Sequence, residues 1–553
     1  PPFWLCQKGG IFYDDMKRLF IPFAILIIIA TLLIIYLPGI NTPFQFDDVK
    51  RIAGQKVIEN LDIGSIFQYS KSRFLLYFTF TVNYYFGKYN VFGYHLVNLI
   101  IHIISSLLVF ALSLIIFNSP RLKKQNLAQH SLILAFFSSM IFAFHPIQTG
   151  AVTYIWQRGE SMTGMLYLLA IFLYAKFRLS QTNSCRRKTK LLFYAACIIA
   201  IILCSFTKPN SVTLPIAVLI FEICFLSKSI KEFKSSLKYL IPILLFVLLP
   251  MALAKFDVGE NKGVAIRFTN HYMPYYYTKI RVLANALQLM LFPVNQRIEY
   301  DFALSASLID PISTLLSLII LLFLIAVSIF NFRRNSLISF AIIWFYLAFS
   351  VTTILYLEDL FFEHYLYLPL FGYSLILPAL SLNITNKLKI NKKWWIGFLV
   401  VLVAAYSIAA YSRNLAWKTE ISLWEDAVKK SPSRARAHYT LGVYYFKAQR
   451  YEEALREYSV ALELKSEYPE AYYRLGEYYF HFRDMERSVG YYKKAIEMNP
   501  EFFEAYLNLG NVYLTAGKYK NAGDCFNNAL AFTEDSRYIK NIRDTLRMIP
   551  AYE

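Results

Sequence analysis

Long, nearly uncharged apolar blocks of about 17–22 residues recur through the first three quarters of this chain and constrain its fold more than any motif. That is the length an α-helix needs to cross about 30 Å of hydrocarbon. Eleven segments qualify: 19–38, 95–117, 131–147, 160–177, 191–206, 210–226, 239–254, 311–331, 336–355, 364–382 and 394–411. With 57% hydrophobic and 17% charged residues, the 553-residue chain lies outside the range of ordinary soluble domains. The first block, Leu19 to Leu37, follows Lys17-Arg18 without a secretory cleavage pattern and is long enough to stay as an anchor. Met16 stands directly before Lys17.

The formal charge of +20 could suggest a nucleic-acid partner, but the basic residues gather in short loops between apolar blocks. Arg121/Lys123/Lys124, Arg186/Arg187/Lys188/Lys190, Lys228/Lys231/Lys234/Lys238, Arg333/Arg334 and Lys387/Lys389/Lys392/Lys393 all fall on one side of the membrane, with Lys17-Arg18. The positive-inside rule makes that side cytoplasmic. An odd number of spans puts the C-terminus opposite the N-terminus, with loops 39–94, 148–159, 255–310 and 356–363. Segment 280–293 is apolar but short, and reads as re-entrant or interfacial; a full crossing there would reverse the side of the tail. The six cysteines, Cys6, Cys185, Cys197, Cys204, Cys224 and Cys525, show neither disulfide nor zinc spacing.

From about residue 415 the composition turns soluble and helical, with a 34-residue period marked by Leu441-Gly442, Leu475-Gly476 and Leu509-Gly510. His438, Tyr472 and Tyr506 precede each glycine by four, and Tyr445, Tyr479 and Tyr513 follow it by three. The second helix of each unit repeats a small residue (Ala454, Ser488, Ala522), an aromatic (Tyr458, Tyr492, Phe526) and an alanine (Ala461, Ala495, Ala529). This is the tetratricopeptide-repeat (TPR) pattern: three full units, preceded by a half unit around Trp424, Ala427 and Pro432. The fold expected is all-α: a polytopic helical bundle of about 11 spans over 1–414 and a TPR α-solenoid over 415–553.

Polar groups collect where the outward ends of the apolar helices should lie. Asp47-Asp48 opens the first outer loop. The pair reads either as a turn or helix cap or as a cavity carboxylate able to act as a general base. Arg73, His95, Asn98 and His102 surround the start of the second span. His145, Arg158 and Glu160 flank the turn between the third and fourth. Lys208 sits in a tight hairpin, and Glu358, Asp359, Glu363 and His364 precede Tyr365. Ionisable groups near membrane depth face a cavity or a partner, or else snorkel to the interface; cations there suit an anionic lipid phosphate. His95 and His102 share a helix face but stand about 10 Å apart along it, too far for one metal. HExxH, GxxxxGK[ST], GxSxG and GxGxxG patterns are missing from the sequence.

Several stretches, in order, resemble the transmembrane and TPR-containing O-mannosyltransferases and their bacterial relatives, of the GT-C glycosyltransferase type. They are Phe46-Asp47-Asp48, Arg73 through GYHLVNLIIH (93–102), FHPIQTGAVTYIWQRGES (144–161), SFTKPNSVTLP (205–215), EHYLYLP (363–369) and RNLAWKTEISLWEDAVKKSP (413–432). The chain departs from the family at His364, where Arg is expected, at Pro209, where an acidic residue is expected, and in a shorter tail. The resemblance implies a polyprenyl- or dolichyl-phosphate-linked sugar as donor and a Ser or Thr hydroxyl of an exported protein as acceptor. It implies an inverting displacement with Asp47 or Asp48 as base and no catalytic metal or cofactor. Arg158, Lys208, Arg73 and His145 would bind the donor phosphate; Glu160, Glu363, His364, Tyr365, His95 and Asn98 would line the rest of the cavity. Consensus concave positions of the TPR groove, for an acceptor peptide or partner protein, are Tyr439, Val443, Phe446, Tyr473, Glu477, Phe480 and Asn511. The expected setting is a bacterial inner membrane with an extracytoplasmic TPR unit, or an ER membrane with a lumenal one. A non-catalytic membrane-anchored TPR scaffold explains the tail but not the outward charge cluster; a transporter would place charges at the midplane instead.

Overall fold

The computed structural model describes residues 11–122, 127–182, 186–255, 273–355 and 359–549. Cys6, Lys123, Lys124, Cys185 and Glu358, singled out above, lie outside them. The chain divides into two units between Lys418 and Thr419, four residues past the boundary expected at 414. Among the described residues every regular element is helical.

Among the described residues of the first unit, ten helical segments are long and apolar enough to cross a membrane: Leu19–Gly39, Val91–Phe117, Leu127–Phe144, Ile155–Gln181, Arg187–Ser205, Pro209–Leu226, Ile230–Leu253, Ile312–Asn331, Ser336–Ile354 and Lys392–Ala416. Ten of the eleven expected spans are therefore recovered. Segment 364–382 becomes a short 3₁₀ turn, Glu363–Leu366, and the helix Leu370–Lys387. That helix packs against Ser131–Phe144, Ser336–Ile354 and Lys392–Ala416. Protein covers it on several sides, so it tolerates Ser374, Pro378, Ser381 and Thr385 where a lipid-facing helix would not. The outer helices show the opposite: only 17% of the most apolar stretch of Ile312–Asn331 is buried, against 61% for Val91–Phe117.

Segment 280–293 belongs to a 19-residue helix, Met273–Leu291, and both its ends reach the same end of the bundle. At its start the Tyr275 and Tyr276 hydroxyls donate to the carbonyls of Leu355 and Ile354, at the C-terminus of Ser336–Ile354. At its finish the Met290 carbonyl accepts from His145, directly after Ser131–Phe144. These bonds tie the two termini of the helix to the C-terminal ends of Ser336–Ile354 and Ser131–Phe144.

The second unit is a solenoid of helix pairs: Ala435–Lys447 with Tyr451–Leu464, Pro469–His481 with Met485–Met498, and Phe503–Thr515 with Tyr519–Ala531. Glu420–Lys430 precedes them, started by a Thr419–Ser422 capping box, and Ser536–Met548 closes the stack. The 34-residue period has a steric cause. A Cβ on Gly442 or Gly476 would lie 2.7 Å from the ring of Tyr458 or Tyr492, and on Gly510 2.6 Å from Phe526. Each aromatic fills the space its glycine vacates, so the two positions must repeat together.

Gly476→Ala gains helix propensity worth about 0.8–1.0 kcal/mol but forces the Tyr492 ring out of a packed core at about 1–3 kcal/mol. We expect net destabilisation, read as faster amide hydrogen exchange across 469–498 of the full chain. The penalty should shrink in a Tyr492→Leu background if the ring contact is its source.

Candidate functional site

The site is assembled where the loop after the first helix meets the turn 153–158. Phe46 adopts a positive φ of 52°, which turns the chain so that Asp47 and Asp48 diverge. Asp48 is buried, at 2% exposure. Its Oδ1 accepts the Trp156 N–H at 2.7 Å and its Oδ2 the Gln45 N–H at 3.1 Å. Burial pushes its carboxyl up to about 8, the two backbone N–H groups pull it down, the Asp47 charge adds to the rise and Arg158 opposes it. Asp47 is only half-buried, and its N–H donates to the Tyr154 hydroxyl at 3.1 Å. Tyr154 is held between Phe46 (6.0 Å) and Trp417 (5.7 Å), with its phenol raised by burial first and by both aspartates after it.

Facing the pair is a cation cluster that Lys208 organises. Its Nζ donates to Glu160 Oε1 at 2.7 Å and Gln157 Oε1 at 3.2 Å, with the lysine side chain 12% exposed and the glutamate 9%. Burial lowers the Lys208 ammonium; Glu160 and Asp47 act against that and Arg73 with it, so all four groups share one electrostatic neighbourhood. The lysine stem needs the missing side chain of Gly159, where a Cβ would stand 3.3 Å from Lys208 Cε. Arg73 lies over the Trp156 ring at 5.6 Å and Arg51 over the same ring at 5.8 Å. His364 sits within electrostatic range of Lys208, and Tyr365 within range of Glu160 and Arg73. His364 also stacks on Phe362 at 5.1 Å.

Several expected site residues serve elsewhere. Arg158 is fully buried. Its Nε donates to Asn98 Oδ1 (2.7 Å), its Nη1 to Thr79 Oγ1 (3.2 Å) and its Nη2 to the Tyr94 carbonyl (2.9 Å), over the Phe80 ring at 4.4 Å. With every nitrogen engaged, it is a brace between helices, and the phosphate contact expected of it is corrected. His145 is likewise corrected: its Nε2 donates to the Met290 carbonyl and its Nδ1 accepts the Ile147 N–H, which spends both nitrogens on backbone. Asn98 donates to the carbonyls of Val152 and Ile155, and His95 Nε2 to that of Thr42 at 2.8 Å. The void beside His95 is about 10 Å³, one water at most. Glu363 accepts from the Arg297 N–H (2.5 Å) and the Tyr300 hydroxyl (2.6 Å), and so anchors the 296–300 segment.

Sequence reasoning passed over Arg51, Trp156 and Lys279. Arg51 had a signal, three residues past Asp48 in the π-helical turn Val49–Ala53. Lys279 had none: it is buried at 1% and donates to the carbonyls of Thr352 and Leu360, tying down the segment that leads to His364.

In the TPR unit the expected groove residues form a network across repeats. Tyr439 packs on Tyr468 at 5.1 Å and Tyr473 on Phe502 at 5.2 Å. Glu477 accepts from Arg474 (2.6 Å) and from the Tyr473 hydroxyl (2.9 Å), which in turn accepts from Asn508 (2.9 Å). Phe446 joins an aromatic cluster with Tyr451 and His481, and Phe480 packs on the core of the third repeat. Val443 and Asn511 are half-buried.

Tetratricopeptide-repeat models match residues 444–481, 469–502 and 491–523. The chain is also similar to proteins named protein O-mannosyl-transferase. One from Caenorhabditis elegans is 25% identical over 483 aligned residues, covering 81% of this chain and 63% of the relative. One from Drosophila melanogaster is 23% identical over 70% of this chain and 48% of its own length; one from Homo sapiens is 22% identical over 80% and 51%. The chain therefore spans about half to two thirds of the length of these relatives.

Because the folded Asp48 carboxyl titrates near 8 and the unfolded one near 3.8, the folded state holds a proton that the unfolded state has lost across that interval. Stability should fall as pH rises through it, by on the order of 2 kcal/mol between pH 6 and 8. Thermal unfolding in detergent should show this as a difference between wild type and Asp48→Asn that moves against the wild type by that amount from pH 6 to 8.

Proposed function

We propose that this chain is a membrane glycosyltransferase that transfers a sugar from a polyprenyl- or dolichyl-phosphate donor to Ser or Thr hydroxyls of exported proteins. The sugar is mannose on the analogy of the relatives' names. The observation that carries the reading is the juxtaposition of a half-buried carboxylate, Asp47, with the Lys208–Glu160–Arg73 cluster at one end of an apolar bundle. A lipid-phosphate sugar has that distribution of chemistry: a long apolar chain, an anion at the interface and an electrophilic carbon beside it.

Asp47 is the base in this scheme and Asp48 the positioning residue, because both Asp48 oxygens are committed to backbone N–H groups while Asp47 is more open. Asp47 takes the proton of the acceptor hydroxyl. The oxygen attacks the anomeric carbon from the face opposite the phosphate and forms the new C–O bond. The bond from that carbon to the phosphate oxygen breaks, and the electron pair leaves with the lipid phosphate. Lys208 and Arg73 stabilise the developing charge, and the configuration at carbon inverts. Glu160 holds Lys208 charged in a partly desolvated place until the donor phosphate arrives.

The setting follows the same logic. The interfacial helix Met273–Leu291 leaves an odd number of crossings when Leu370–Lys387 is counted with the ten spans. The positive-inside rule then gives an extracytoplasmic TPR unit in the compartment of the Asp47 loop. TPR grooves commonly take extended peptides, and the Tyr439, Tyr473 and Glu477 network offers aromatic faces and one acidic group for an acceptor protein.

With purified full-length protein, a polyprenyl-phosphate sugar and a Ser/Thr peptide, Asp47→Asn should lower the transfer rate about 10²–10⁴-fold with donor affinity kept. Lys208→Ala should raise the donor KM. Undiminished transfer by Asp47→Asn would remove the base from the scheme; no transfer by the wild type, with tight peptide binding, would favour the scaffold reading.

A further inference from the structure

A groove of about 540 Å³ opens between the helices Ile312–Asn331 and Ser336–Ile354, away from the site described above. The second helix ends at Ile354, beside the residues that lead to His364, and begins at Ser336 next to Arg333-Arg334. Nineteen helical residues separate the two ends, about 28 Å. Both helices are long and apolar enough to cross a membrane, so the groove's mouth belongs to the opposite membrane–water boundary. Its walls are Ile325, Ile329, Ile342 and Ile343, its mouth carries Arg333 and Arg334, and its inner end is Tyr346. Tyr346 lies ten residues past Ser336, about 15 Å into the span.

The groove is held open by contacts on either side of it. Ser328 and Ser339 exchange hydroxyl–carbonyl hydrogen bonds near the hairpin (2.7 and 3.5 Å), and the Tyr346 hydroxyl donates to the Leu321 carbonyl at 2.7 Å. The outward flank is strongly apolar: Ile329 is 69% exposed and Phe330 76%.

We propose that this groove is a binding site for an anionic diacyl phospholipid of the leaflet opposite the reaction. The phosphate sits on Arg333 and Arg334, and one acyl chain lies along the isoleucine wall towards Tyr346. Guanidinium groups pair with phosphate oxygens in a two-pronged geometry that an ammonium cannot match. A second copy of the chain fits the surface poorly. A two-fold contact at this groove would bring the Arg333-Arg334 pairs of both copies together, and like charges would oppose it.

The test is native mass spectrometry of the delipidated full-length protein in neutral detergent, titrated with phosphatidylglycerol, phosphatidylcholine or inorganic phosphate. One phosphatidylglycerol should be retained. Arg333→Ala/Arg334→Ala should weaken it at least about tenfold, and Ile343→Trp, which fills the wall and leaves both arginines, should do the same. Arg186→Ala/Arg187→Ala, which removes two cations elsewhere on the same boundary, should leave it unchanged. Equal retention of phosphatidylcholine, equal loss in the Arg186/Arg187 variant or displacement by inorganic phosphate alone would overturn the proposal. So would a dimer whose dissociation follows the groove variants.

Discussion

The hydrogen bond from the Trp156 N–H to the buried Asp48 carboxyl ties together the two stretches of chain from which the candidate site is built. It joins the loop leaving the first helix to a turn more than a hundred residues later. Leaving either partner unmade in a place without water costs about 1–3 kcal/mol. Once the link is made, Asp47 is held beside Tyr154, and the Trp156 ring is set beneath Arg51 and Arg73. The same turn continues into Arg158, whose nitrogens reach Asn98, Thr79 and the Tyr94 carbonyl. One turn thus positions the carboxylates on one side and braces the helices on the other.

That division of labour explains what the sequence could and could not convey. The apolar blocks and the 34-residue period were legible because each follows from a repeated physical need: hydrocarbon thickness in one case, a glycine–aromatic contact in the other. The outward charge cluster was legible as a group, since Asp47, Arg73, Glu160 and Lys208 do meet. Individual roles were not. Arg158 and Lys208 look alike in one dimension, both cations beside Gln, Gly or Pro in a tight turn. Only three dimensions show that Asn98 and Thr79 consume the guanidinium while Lys208 keeps a single carboxylate partner.

His95, Asn98 and His145 teach the same lesson from the apolar side. In a bundle made of long helices, backbone carbonyls at breaks and ends need donors, and buried imidazoles and amides supply them. Lys279 extends the rule to a charged residue: it tethers two carbonyls in a segment that reads as merely apolar. Leu370–Lys387, read from the sequence as the span 364–382, carries serines, a proline and a threonine for a related reason, because a helix covered by protein has no need to be uniformly apolar.

In the proposed function, a carboxylate and a cation cluster at the end of this bundle transfer a sugar to exported proteins. Intact-mass analysis of exported proteins from cells with and without this gene addresses it most directly. The account predicts that hexose increments on Ser/Thr-rich proteins vanish without the gene and return with the intact chain, but not with Asp47→Asn. Identical mass spectra with and without the gene would contradict it.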